Sequence, residues 1–221
     1  MKATTVAPTN GRSYNSPLRE RQSEKTRVSI LEALTAELAE GGLHVLNIPA
    51  IARRAGVSVR TVYRYFPTRD ALLDAVDRWM DDTIVPGPPL TMAAEMPATA
   101  ERAFKEFDAN ETAMLAQWAT ALGRDVRARG RRRRISAYGY ALAEATSNLN
   151  RSDARAAHAV ISYLLSSLTW KTMREEFGMK GSESGKAVAW ALRTLIEDLR
   201  QRNESASPTN AGGPVKLTTD Y

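Results

Sequence analysis

Apolar residues along this chain recur every three or four positions rather than every second one, a spacing that predicts helices. Ile30, Leu31, Leu34 and Leu38 form one helical stripe, ended by Gly41-Gly42 as C-cap material. Asn47 can cap a short second helix, with Pro49 tolerated in its first turn, running to Ala55 before a tight turn at Gly56. Ser58 caps a third, which stops before Pro67 because the residue preceding a proline avoids helical geometry. Thr68 caps a fourth carrying Leu72, Leu73, Val76, Trp79 and Met80, with Asp70 placed to complement the helix dipole. After the PGPP at 86–89, helices are expected near 96–109, 111–122, 125–148, 152–177 and 183–203, punctuated by Gly123, Asn150 and Gly178 to Gly185. The fold class is therefore all-α, with about nine helices.

The same pattern divides the chain. Residues 1–22 and 204–221 are rich in Ser, Thr, Asn, Pro and Gly and read as a disordered basic arm and a disordered tail. Residues 23–84 read as a helix-turn-helix domain, and 90–203 as a helical effector-binding and dimerisation domain. No apolar run approaches the ~18 residues of a membrane span, and the N-terminus has no secretory h-region. Without cysteine there is neither a disulfide nor a thiolate metal site. A cytoplasmic protein with no membrane contact is expected.

Charge sharpens the division. Residues 1–69 hold 11 Lys/Arg against 5 Asp/Glu, an excess equal to the whole net charge of +6, so the rest is neutral. A basic head on a neutral body fits a domain that faces phosphates. Within it, Ile48, Ile51, Ala52, Val57, Val62 and Phe66 supply a small core, and the helix after Ser58 can enter a major groove. Val59, Arg60 and Arg64 are the expected base readers. Thr61, Tyr63 and Tyr65 are the expected backbone clamps, with Arg69 and the following helix start holding a further phosphate. Asn47 and Ser58 complete the DNA-binding set. The arm (Lys2, Arg12, Arg19, Arg21, Lys25) either follows the DNA or serves solubility.

These residues carry a resemblance. The run AGVS-x-x-TVY-x-YF-x-TRDALL, within ILEALTAELAEGGLHVLNIPAIARRAGVSVRTVYRYFPTRDALL, resembles the N-terminal head of the TetR family of bacterial transcription regulators. Asn47 and Pro49 depart from the family pattern but suit an N-cap and first turn. The resemblance implies a C-terminal domain that binds a small-molecule effector, dimerises, and releases DNA when liganded. A repressor on a palindromic operator is the leading reading, with a DNA-binding adaptor or activator lacking an effector as the alternative.

In the body, two helices have wide apolar arcs, and Leu164, Leu168, Ala187, Trp190, Ala191 and Thr194 are the expected homodimer interface. Phe104, Phe107, Met114, Trp118, Tyr138, Trp170 and Met173 are the candidates to line a pocket for a largely apolar effector. The run RARGRRRR at 127–134 places arginines all round a helix and reads as a solvated helix start. GMKGSESGKA at 178–187 fails as a phosphate loop, since Gly181 to Gly185 encloses three residues and Ala187 replaces Ser or Thr. His44 and His158 stand alone, and no catalytic or metal-ligating set can be spelled from them. Neither an enzyme nor a cofactor or metal is expected.

Overall fold

The computed structural model describes residues 17–40 and 46–206. They form ten α-helices and, among the described residues, no strand. Helix α1 (Pro17–Ala39) leads to the short pair α2 (Ile48–Arg54) and α3 (Val59–Tyr65), then to α4 (Arg69–Ile84). A 3-10 turn at Ala93–Glu95 opens the body, which comprises α5 (Met96–Ala109), α6 (Glu111–Ala119), α7 (Ala121–Leu142), α8 (Arg151–Leu164), α9 (Ser167–Phe177) and α10 (Gly181–Ser205). Gly41, Gly42, His44, and arm residues Lys2 and Arg12 lie outside the described residues. Helix α1 takes in residues 17–22, the end of the segment expected to be unstructured, and α10 runs through Glu204 and Ser205.

Side-chain oxygens fix the helix starts. Asn47 accepts from the Ala50 amide at 3.1 Å, Ser58 from Thr61 at 3.1 Å and Thr68 from Ala71 at 3.1 Å. Helix α5 spans the expected 96–109. The single helix expected over 152–177 is two. Ser166 accepts from the Thr169 amide at 3.3 Å and donates to the Tyr163 carbonyl at 2.7 Å, capping α9 and closing α8 at once.

Gly123 is not punctuation either. Thr120 caps α7, accepting from the Gly123 amide at 2.9 Å, and Gly123 lies inside the helix. A Cβ there would stand 2.4 Å from the Ala116 carbonyl oxygen, so the residue is small because α6 and α7 cross closely. Gly181 plays the same part between α10 and α5, where a Cβ would stand 2.0 Å from the Phe104 carbonyl oxygen.

One contiguous core runs from Ile30 and Leu34 of α1 through Val76 and Met80 of α4 to Phe104, Trp170, Leu192 and Ile196. Head and body meet in it: α1 packs on α6, and α4 on α7. The α4–α7 seam also carries a ladder of charge. Asp70, Asp74, Asp77 and Asp81 fall on one stripe of α4. Arg129 reaches Asp70 at 2.5 Å and Asp74 at 3.1 Å. Arg133 reaches Asp77 at 2.8 Å and Asp81 at 2.5 Å, and Arg134 reaches the same two at 3.4 and 3.2 Å. The arginine run is thus mid-helix, not a helix start, and three of its six arginines, Arg129, Arg133 and Arg134, are paired with carboxylates some 55 residues earlier, where helical spacing sets them in register.

Candidate functional site

The turn between α2 and α3 is built on Gly56, whose φ of 67° needs no side chain, and on the Val57 amide donating to Ala52 O at 3.0 Å. Ile51, Ala52, Val62 and Phe66 are buried against α1 and α4. Arg54 anchors α2 to α1 through Glu37 at 2.9 Å and Glu40 at 2.5 Å. With that side fixed, α3 turns its remaining residues to solvent. Val59 and Tyr63 are 39% and 50% exposed, and Arg60 and Arg64 are exposed beside them. Neither guanidinium makes an ion pair among the described residues, although Arg64 lies over the Tyr65 ring at 5.2 Å from its centroid.

Five of the expected DNA-binding residues are already engaged inside the protein. The Tyr65 hydroxyl donates to Ser23 Oγ of α1 at 3.1 Å, bracing α3. Thr61 exchanges a hydroxyl hydrogen bond with Ser58 at 2.9 Å. Arg69 pairs with Asp125 of α7 at 2.6 Å, so a phosphate there must compete with a carboxylate. Asn47 is exposed, its side-chain oxygen engaged as the α2 cap. Arg19, Arg21 and Lys25 lie exposed along α1.

A cavity of about 470 Å³ opens in the body between α4, α5, α6, α7 and α8. Phe107, Met114, Trp118 and Tyr138 line it as expected. Phe104 and Trp170 do not; both are fully buried in the core. The Trp170 indole donates to Asp108 at 2.8 Å, and Asp108 also accepts from the Gly181 amide at 2.6 Å and pairs with Arg174 at 3.3 Å. That satisfied indole, edge-on to Phe107, makes Trp170 a structural post rather than a pocket wall. Met173 is half-buried and off the cavity.

Sequence reasoning missed the contribution of α4, whose Met80, Asp81 and Ile84 line one wall, and the polar members Arg102, Gln117, Arg127 and Ser162. Gln117 points its amide at the sulfurs of Met80 and Met114. Burial pushes the Tyr138 phenol above its ordinary range, keeping it neutral, although Arg134 pulls the other way. Burial also raises the Asp77 carboxyl, against the pull of Arg134.

Of the expected interface residues, Trp190 is 68% exposed and Thr194 is exposed on α10, while Ala187, Ala191, Leu164 and Leu168 are half-buried. Leu168 also lines the cavity. Helix α8, which packs on α10, adds Val160 and Tyr163, 49% and 52% exposed.

A two-helix turn that buries one face of α3 and bares arginine, tyrosine and valine on the other, on an all-α body, defines a helix-turn-helix transcriptional regulator. Known proteins share the pattern of its head. Residues 30–76 match the bacterial regulatory proteins of the tetR family. The HTH-type transcriptional regulator BetI of Serratia proteamaculans (strain 568) is 29% identical over 184 residues, covering 76% of this chain and 88% of that protein. The BetI of Pectobacterium carotovorum subsp. carotovorum (strain PC1) is 33% identical over 107 residues, 43% of this chain and 55% of that protein. The BetI of Yersinia pestis (strain Pestoides F) is 32% identical over 107 residues, 43% of this chain and 54% of that protein. The helix-turn-helix head of this chain is thus similar to that of the tetR family of bacterial regulatory proteins. Among the described residues, no helix is long and apolar enough to cross a membrane.

Proposed function

We propose that this protein is a repressor that binds a palindromic operator as a homodimer and is released by a small molecule held in the body cavity. The observation that carries this reading is the double duty of α4. Leu72 and Leu73 near its start are buried in the core that seats the helix-turn-helix, while Met80, Asp81 and Ile84 near its end line the cavity. A ligand that moves the cavity wall moves the helix on which the head is built, and packed interfaces respond to such shifts in discrete steps.

Val59, Arg60 and Arg64 are the base readers in this reading, with Tyr63 on the backbone. The exposed apolar side chains of α8 and α10 supply the dimer interface, and two-fold symmetry then sets a palindromic site. The relatives are transcriptional regulators, which accords with a role in binding rather than catalysis.

Selection of bound duplexes from a random pool, followed by a screen of small molecules for release, tests the reading. An inverted-repeat consensus and ligand-dependent release are expected. A non-repeating consensus, or cavity ligands that bind without altering DNA affinity, would overturn it.

A further inference from the structure

Four buried side-chain polar atoms find no hydrogen-bond partner among the described residues: Arg102 Nε, Trp118 Nε1, Arg127 Nε and Ser162 Oγ. All four belong to residues that line the same cavity. Buried polar groups are nearly always satisfied, so four unpartnered ones on residues round one space show a polar wall that lacks its partner, which reaches these atoms once the side chains that bear them turn towards the cavity. Their chemistry says what kind. Three are N–H groups that can only donate, and the serine hydroxyl can donate as well. The missing partner is an acceptor.

Charge narrows it further. Arg102, Arg127, Arg131 and Arg134 line the cavity with Asp81 as the one carboxylate beside them, and Arg134 is already paired with Asp81 and Asp77. Arg102, Arg127 and Arg131 have no ion pair among the described residues. Arg127 is the least comfortable of them. Its guanidinium lies over the Trp118 ring at 3.5 Å from the centroid, and burial, with Arg131 and Arg134 adding to it, weakens its hold on its proton. The opposite wall is apolar, with Met80, Ile84, Ala103, Phe107 and Met114. At about 470 Å³ the cavity is within the ~300–1,000 Å³ of pockets that enclose drug-sized ligands.

We infer that the effector is an amphiphilic organic acid, its anionic group taken by Arg102, Arg127 and the Trp118 indole N–H and its apolar body lying against α4 and α5. The planar guanidinium fork suits a carboxylate, and a desolvated charge-assisted pair is strong. A neutral hydrocarbon would leave every orphan unsatisfied, and a cationic amphiphile would add charge to a wall already in excess. This inference rests on the reading of the cavity as the effector site.

The test is calorimetric titration of the full chain with three probes of one chain length: decanoate, decan-1-ol and decyltrimethylammonium. Decanoate is expected to bind at least about tenfold more tightly than either, the equivalent of one charge-assisted hydrogen bond. In Arg127→Met and Arg102→Met the acid and the alcohol should bind alike. The wild-type ratio decides even if a variant fails to fold. Binding of the alcohol or the cation as tightly as the acid, or of none of the three, overturns the inference. Release of selected DNA is measured in parallel. Decanoate that binds with the expected preference but leaves DNA bound keeps the ligand class and defeats the effector reading. Release by the alcohol or the cation at the same concentration as the acid does the reverse.

Discussion

Arg134 donates to Asp81 at 3.2 Å, and both residues line the cavity, so the last rung of the α4–α7 ladder is also part of the cavity wall. The rungs before it, at Asp77, Asp74 and Asp70, lead along α4 towards the head. This one contact connects the two halves of the protein electrostatically as well as through packing.

Asp77 sits at the centre of that ladder, buried, with its carboxyl raised above the ordinary value of 3.8. A raised folded value means the folded state binds the proton more readily than the unfolded chain. Stability is therefore gained as pH falls through the window just above 3.8, and lost as pH rises through it. In Asp77→Asn that contribution disappears, so the difference between the two melting curves from pH 4 to pH 7 should change in this sense. At neutral pH the substitution should shift stability by no more than about 1 kcal/mol, because Arg133 and Arg134 keep Asp81. Thermal melts at stepped pH check both; a wild-type advantage that grows steadily with pH would refute the assignment.

Arg60 is exposed on α3 and makes no ion pair among the described residues. Arg60→Ala is expected to weaken binding to the selected site by about 1–3 kcal/mol and to relax base choice at one position. Tyr63→Phe should weaken selected and scrambled duplexes equally. Fluorescence anisotropy on both duplexes separates the two effects, and an equal loss for Arg60→Ala would reassign that residue to the backbone.

Trp190, 68% exposed on α10, is the largest apolar side chain on the proposed interface. Trp190→Arg would put an unpaired charge into a buried dimer seam, and the mass by light scattering should fall from two chains to one at micromolar concentration. A mass unchanged from wild type would move the interface elsewhere.

Gly123→Ala drives a methyl to 2.4 Å from the Ala116 carbonyl oxygen and should cost about 1–3 kcal/mol or more, as overpacking does. At Gly56 nothing lies within 4 Å of a would-be Cβ, so Gly56→Ala tests the φ of 67° alone, at about 1–2 kcal/mol. Denaturant melts of the two variants distinguish close approach from backbone handedness.

The helix-turn-helix could be read from the chain because its signals are local: Asn47, Ser58 and Thr68 cap helices that begin one residue later, and Gly56 turns between them. Helix α5 is legible for the same reason, with Pro97 in its first turn and the chain breaking at Asn110. The α8–α9 break is not, since Ser166 and Ser167 within an apolar pattern look like the polar side of one helix. Only the hydroxyl bonds to Tyr163 and Thr169 decide it. The cavity was half visible. Residue type found Phe107, Met114, Trp118 and Tyr138, but Phe104 and Trp170 are the same types and belong to the core, because Asp108 from another helix satisfies the indole. Orphaned donors on Arg102 and Arg127 arise only when distant helices meet, and a linear pattern carries no sign of them.

The Asp ladder makes α4 a helix of fixed phase. Each added or deleted residue would turn everything beyond it by about 100° and slide it about 1.5 Å. Such a change between Asp74 and Asp77 would leave Arg129 in place but swing Asp77, Asp81, Met80 and Ile84 away from α7 and the cavity. The head would survive while losing its register with the cavity. The length of α4 from Thr68 to Ile84 is thus held as tightly as the residues themselves, and variation among functional relatives should run to substitution there, not to insertion.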